Sequence, residues 1–394
     1  MKARRLSAFF FFLFVTYGAF LPFFPTWLEA RGVRGVAMSA LMAMVPAFGI
    51  VGPPGFGALS DWLGLRAGLL RIATAGGLVS MLILVAPAAG GHLPGVALIG
   101  AAMLIFSLCR APTVAMADVI AVEASRPENN GGVARSYGSV RLWGSIGFLV
   151  AAAGAGHVID VRDPLAWPAL LAVSSACTFA LSFTLDAEAP ARADHLGASL
   201  RRVIADRSYA LLLVSAFLGF GAHVSYDICF SLHLKALGVG ASGAGAAWAI
   251  GVVAEVALMA FSGRLIARFS ASHLLVAAFL GGAVRWALIA SISSVPVLLA
   301  LQPLHALSFA VFWVTSLDLV KRLAPRDVLA TAQGLFNAAV GGGAVVFMFV
   351  WGALFEARGG PTTFACAAGV AVIAAIVASA IGRGHRVAAP AEVV

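Results

Sequence analysis

The sequence predicts an all-α integral membrane protein of twelve transmembrane helices in two six-helix bundles, and three observations predict it. Of 394 residues, 61% are hydrophobic and 11% charged, with a mean hydropathy of +0.98. That leaves too little polar surface to cover a soluble globule of this length, so lipid must serve as the solvent. Apolar runs close to the ~20 residues that cross hydrocarbon recur along the chain. One long polar stretch, Asp186 to Arg207, holds Pro190, Gly197 and eight charged residues and divides the runs six and six.

The runs cover 7–29, 36–60, 67–90, 93–122, 137–159 and 164–185 in the first half, and 208–234, 241–267, 271–293, 295–320, 328–356 and 361–382 in the second. The expected units are an N-terminal bundle over 1–185, a cytoplasmic loop over 186–207, a C-terminal bundle over 208–382 and a cytoplasmic tail over 383–394. The first run is long enough to span and no small-residue cleavage site follows it, so it reads as a retained helix. Its Phe9 to Phe14 segment reads as lipid-facing bulk with at most one ring reaching the cavity, and Trp27, Trp167 and Trp351 as interface or packing residues. Gly154-Ala-Gly156 in the fifth run and Gly341-Gly-Gly343 in the eleventh permit close helix approach. Cys109, Cys177, Cys229 and Cys366 all fall inside runs, without ligand spacing or a disulfide framework, and no metal site is expected.

The halves echo each other at an offset of about 203 to 206 residues. Gly18-Ala19 and Gly32-Val33 return as Gly221-Ala222 and Gly238-Val239, and Gly57-Ala-Leu-Ser-Asp61-Trp-Leu-Gly64 returns in degenerate form as Gly263-Arg-Leu-Ile-Ala267-Arg-Phe-Ser270. Parallel six-helix repeats are an architecture of alternating-access transporters. An even number of helices puts both termini on one side. Eighteen of the 26 Lys and Arg residues fall on that side and five fall opposite, namely Arg31, Arg34, Arg162, Lys235 and Arg358. The positive-inside rule makes the termini of this multi-pass protein cytoplasmic. The +9 net charge is then a topology signal, and no nucleic-acid partner is expected.

Charges inside the runs cost at least ~2.5–3.5 kcal/mol each on insertion scales, which marks them as candidates for a substrate or ion pathway. Counting outward from the turn near Phe269-Ser270 puts Glu255 about 14 residues before it and Arg285 about 15 after. Counting from Ser294-Val295 puts Arg285 about 10 before and His305 about 10 after, so the three share one layer. A buried carboxylate keeps or loses its proton as a guanidinium withdraws or approaches, so Glu255 and Arg285 read as a proton-coupling device, with His305 as relay or tuner. A static clamp across three helices is the blander alternative. Asp118 and Arg141, about 12 before and 11 after Asn129-Asn130, can pair across the fourth and fifth runs. Arg110, deeper in the fourth run, needs either Asp227 or an anionic substrate, which a guanidinium fork binds at two points. Tyr17, Phe148 and Trp143 are candidates to stack on a ring, whereas His223 and Cys229 read as packing. No nucleophile with a base can be assembled from these residues, so an enzyme is not expected.

The loop Gly57-x-x-x-Asp61-x-x-Gly64-x-Arg66 resembles the signature between the second and third helices of the major facilitator superfamily. Tyr137-Gly-x-x-Arg141-Leu-Trp-Gly-Ser-Ile-Gly147, Gly251-Val-Val-Ala-Glu255, Val284-Arg285-Trp286 and Leu304-His305 resemble bacterial 3-phenylpropionate transporters and, more distantly, the lactose permease group of oligosaccharide:proton symporters. The resemblance spans nearly the whole chain and implies the major facilitator fold. It also implies proton coupling at Glu255, Arg285 and His305, substrate contact at Arg141 and a place in a bacterial inner membrane, while Asp61 and Arg66 read as stabilising one state of the cytoplasmic gate without touching substrate. The chain departs from the lactose permease group at Ser308, where that group has a carboxylate, and at Phe148, where it stacks a tryptophan on sugar. Its eleventh run also lacks a lysine over Ala338 to Val350, which removes the partner that group gives to Asp227. The expectation is a monomeric symporter importing a small organic solute, with an aromatic or lipophilic carboxylate as the leading class. A sugar or nucleoside symporter is the first alternative and an exporter the second. The expected substrate contacts are Arg141, Arg110, Asp118, Asp227, Tyr17 and Phe148, the surroundings membrane lipid, and the coupling ion a proton in place of any cofactor.

Overall fold

The computed structural model describes residues 2–63, 66–89, 95–124, 137–162, 166–185, 205–324 and 329–381. Nearly all of them are helical, as hydrocarbon demands when it offers backbone groups no water. The first half comprises α1 (Lys2–Phe20), α2 (Phe24–Glu29), α3 (Gly35–Leu63), α4 (Arg66–Ala89), α5 (Val96–Ala124), α6 (Tyr137–Arg162) and α7 (Ala166–Ser182). The second comprises α8 (Arg207–Ala236), α9 (Ala241–Arg268), α10 (Ala271–Ser291), α11 (Val295–Ala300), a π-helical turn (Ala306–Val311), α12 (Phe312–Leu323) and α13 (Leu329–Ser379). Among the described residues, eight helices are long and apolar enough to cross a membrane, which makes this a multi-pass membrane fold.

Three breaks show how the sequence bends its helices. The first run, expected to be continuous, stops at Phe20 and restarts at Phe24, because Pro22 and Pro25 withdraw backbone donors there. The tenth run breaks the same way at Leu301–Pro303 and then widens into the π turn, a geometry frequent at functional sites. The 51-residue α13 is far longer than one crossing needs, and it kinks at Gly359, whose φ of 74° suits glycine, just before Pro361.

α1 packs on α6 and α7, α4 on α5 and α7, and in the second half α8 and α10 pack on α13. Phe9 and Phe10 are fully buried in the core, not lipid-facing as the sequence suggests, because that face of α1 looks inward. Trp167 Nε1 donates to the Ala19 carbonyl at 2.6 Å and Trp351 Nε1 to that of Gly221 at 2.7 Å, so both tryptophans are helix-to-helix struts.

The halves meet where α3 faces α13, α6 faces α9 and α2 faces α8. These contacts gather at the end opposite Lys2. There Lys235 Nζ donates to Glu29 Oε2 at 2.7 Å, and Ser39 Oγ donates to the Met348 carbonyl at 2.9 Å. The backbones of α6 and α9 come so close that a Cβ on Gly156 would strike the Ala241 carbonyl, and one on Gly245 that of Ala152. At the other end the Arg141 and Asp118 side chains keep 31% and 35% of their exposure. Among the described residues, the space between the halves is therefore shut at one end and open at the other. Gly245→Val should wedge the shut end apart: a cysteine placed at Ala244, which is 4% exposed, should then react faster with an aqueous maleimide. Unchanged labelling would mean that this contact does not seal the end.

The side chains of Asp61 and Arg66 lie outside the described residues, as do most of the 186–207 loop and the 383–394 tail.

Candidate functional site

A cavity of about 360 Å³ lies between the halves. The second half contributes Glu255 from α9, His223 and Asp227 from α8, and His305, which immediately precedes the π turn. Glu255 Oε2 is 3.5 Å from His305 Nε2, and the Arg285 guanidinium sits behind that ring, wholly buried. The equal depths of the three are as the sequence predicts, but their order is not: the imidazole stands between carboxylate and guanidinium. Depth follows from counting residues, whereas the rotation of each helix about its axis follows from packing.

Arg285 donates from one terminal nitrogen to His305 Nδ1 at 3.2 Å and to Ser308 Oγ at 3.4 Å, and from the other to Gln302 Oε1 at 2.9 Å. Its charge also lies over the rings of Tyr226 at 4.3 Å and Trp286 at 4.7 Å. Tyr226 donates to the same Gln302 oxygen at 3.1 Å, and Gln302 Nε2 is tied to the Leu298 carbonyl at 2.7 Å. A guanidinium has donors only, so His305 Nδ1 accepts, and the ring proton sits on Nε2, facing Glu255. While that contact holds, His305 is a fixed neutral tautomer. It orients Glu255 and carries no second proton of its own. Ser308, at the position where the lactose permease group has a carboxylate, is an acceptor for Arg285.

The first half contributes cations and rings. The Arg141 guanidinium lies 4.1 Å from the Phe14 ring centre, with its Nε 3.7 Å from Asp118 Oδ1, so the pair expected from spacing forms. Arg110 lies over Tyr17 at 4.2 Å. Both arginines and Tyr17 line the cavity, together with Phe148. Among the described residues no ion pair joins Arg110 to Asp227, although both face the same space; Asp227 instead has His223 at 4.0 Å. Trp143 is 43% exposed and lines no part of this cavity, which removes it as a stacking candidate. Cys229 is a buried packing residue, as expected, with its thiol 3.8 Å from the Trp351 carbonyl.

Sequence reasoning misses Gln302, Tyr226 and Trp248. Trp248 lines the cavity and lies with its ring centre 4.5 Å from that of Tyr226. Gln302 had a usable signal: an uncharged amide before Pro303 inside an apolar run has no lipid-compatible place except against another buried polar group. Among the described residues, no group of three or more His, Cys, Asp or Glu is placed to hold a metal ion.

Residues 3–366 match the family described as MFS_1 like. The chain belongs to that family. This member is 29% identical over 368 residues to the probable 3-phenylpropionic acid transporter of Escherichia coli (strain K12), covering 91% of this chain and 92% of the relative. It is also 29% identical over 360 residues to the maltose permease of Geobacillus stearothermophilus, covering 88% and 86%. Its fold superposes on the crystal structure of the nucleoside transporter NupG with a TM-score of 0.80 at 17% identity, covering 97% of this chain and 99% of the other. The major facilitator resemblance carried by the sequence motifs is thereby shown.

Proposed function

We propose that this family member is a proton-coupled secondary transporter of twelve helices that imports a small organic anion, with an aromatic or lipophilic carboxylate as the substrate class. One observation carries the reading: a single cavity sets two guanidinium groups on one half against two carboxylate–imidazole pairs on the other, with aromatic rings between. Arg141 and Arg110 receive the carboxylate, while Tyr17 and Phe148 flank the ring. Asp118 holds Arg141 in place. The volume of about 360 Å³ falls in the range of roughly 300–1,000 Å³ usual for small-molecule sites.

Glu255 works as the coupling carboxylate. It sits on α9, the helix packed against α6, and α6 carries Arg141, whose charge reaches Glu255 across the cavity. The ionised carboxylate draws the two walls together through that field, and a proton on Glu255 removes the attraction. Substrate anion and proton thus enter the space together and leave it together. The shut end faces the outside when both termini are cytoplasmic, so the conformation is inward-open, and Asp61 and Arg66 belong to the gate at the open end. The same cycle run backwards is export, and its direction follows the gradients. The protein works as a monomer in lipid, since each cavity is built from one chain.

The relatives named for maltose and nucleosides favour a second reading, a sugar or nucleoside symporter. The paired guanidinium groups argue against it, because an uncharged solute gains little from two cations facing it. A thermal-shift panel on purified protein with 3-phenylpropionate, maltose and uridine separates the two. A ligand at 100 times its Kd stabilises the bound fold by about 2.7 kcal/mol, ample for a melting curve. We expect the aromatic acid to raise Tm; stabilisation by maltose or uridine alone would overturn the carboxylate reading.

A further inference from the structure

His223 reads as a packing residue from sequence, yet its surroundings are those of a working group. Its Nε2 lies 4.0 Å from Asp227 Oδ1, one turn away on α8, a gap that a single water or a small rotation closes. Its Nδ1 is buried without a partner. Its ring centre is 5.3 Å from that of His305. The cavity wall therefore carries the series Asp227, His223, His305, Glu255: two carboxylate–imidazole pairs placed back to back. The pairs differ in one respect. His305 is pinned by Arg285, whereas the far nitrogen of His223 is free to take or pass a proton.

We infer that Asp227 with His223 forms a second protonation site, so that each turnover carries two protons with one substrate anion. Asp227 is then a proton carrier and not a substrate contact. The charged and titratable groups around it are His223 and Tyr226 on its own helix, Arg285 from α10, whose charge reaches it, His305 beside the π turn, and Arg110 across the cavity. None of these is a direct ion-pair partner apart from His223, so an ionised Asp227 is poorly compensated and a proton has a reason to bind there. The two sites have separate duties. The Asp227 pair lies within one helix, whereas Glu255 sits on α9, which packs against the α6 that carries Arg141 of the opposite half. The charge balance follows: one carboxylate anion and two protons move together, which is one net positive charge inward per cycle.

Infrared difference spectra of the purified protein without substrate test the site directly. On acidification, the wild type should show carbonyl stretching bands of two protonated buried carboxyls; Asp227→Asn should remove one of them and Glu255→Gln the other, and His223→Gln should displace the Asp227 band alone. A wild-type spectrum that Asp227→Asn leaves unchanged would overturn the proposal. The stoichiometry rests on the carboxylate-import reading and has its own readout, the current evoked by 3-phenylpropionate in proteoliposomes. Wild type should be electrogenic, and Asp227→Asn should transport with no net current. If 3-phenylpropionate is not transported while the Asp227 band is present, the substrate reading fails and the second site stands. If transport is electroneutral in both proteins, the two-proton stoichiometry is wrong.

Discussion

Glu255→Gln should abolish accumulation of substrate against its gradient while leaving exchange of substrate across the membrane intact. The amide keeps the shape of a protonated carboxyl and cannot discharge. A loaded carrier never has to discharge to shuttle, so counterflow of labelled against unlabelled 3-phenylpropionate should run near the wild-type rate. Net uptake needs the empty carrier to return with Glu255 ionised and attracted to Arg141, and that step is lost. One unit of pH gradient supports a roughly tenfold concentration ratio per coupled proton, since 1.4 kcal/mol is a factor of ten. In the variant the ratio should collapse to about one. The proton at Asp227 does not rescue it, because among the described residues no ion pair joins that site to the opposite half. Uphill transport by Glu255→Gln would remove Glu255 from the coupling role. Loss of exchange as well would show that the carboxyl also shapes the bound state.

The large features of this arrangement are written in the sequence because the bilayer punishes alternatives. A charge at mid-membrane is so costly that Glu255, Arg285 and His305 announce themselves, and depth counted from turns places Asp118 near Arg141 as the structure has it, with 3.7 Å between them. Close glycine packing is readable in part: Gly156 and Gly343 sit against opposing backbone, whereas Gly154 has nothing within 4 Å of where a Cβ would stand. What stays hidden is rotation about helix axes. Phe9 and Phe10 are as apolar as any lipid-facing pair, and hydrophobicity cannot tell lipid from protein interior when both are oil-like. For the same reason the interposition of His305 between Glu255 and Arg285 does not follow from their spacing. The Gln302 and Tyr226 cradle for Arg285 depends on the break at Leu301–Pro303, which shifts the register of everything after it.

Arg141→Lys should weaken binding of an aromatic acid roughly ten- to hundredfold while leaving its uncharged amide analogue almost unaffected. The lysine keeps the charge but loses the planar fork that meets a carboxylate at two points. It also loses the flat face now lying 4.1 Å from the Phe14 ring centre, so the ammonium has nothing to hold its direction. Loss of one hydrogen bond to a charged group costs about 1.5–3 kcal/mol, which is the stated range in Kd at 1.4 kcal/mol per decade. Half of the comparison lies within the wild type. If Arg141 reads a negative charge, the wild type must already prefer the acid to the amide, and Arg141→Lys must shrink that preference. Titration of both ligands on both proteins gives the four constants. A wild type that binds 3-phenylpropionate and its amide equally well would detach Arg141 from carboxylate recognition and move the sugar or nucleoside reading ahead. If the preference persists undiminished in the lysine variant, it falls instead on Arg110, which lies over Tyr17 at 4.2 Å and faces the same cavity.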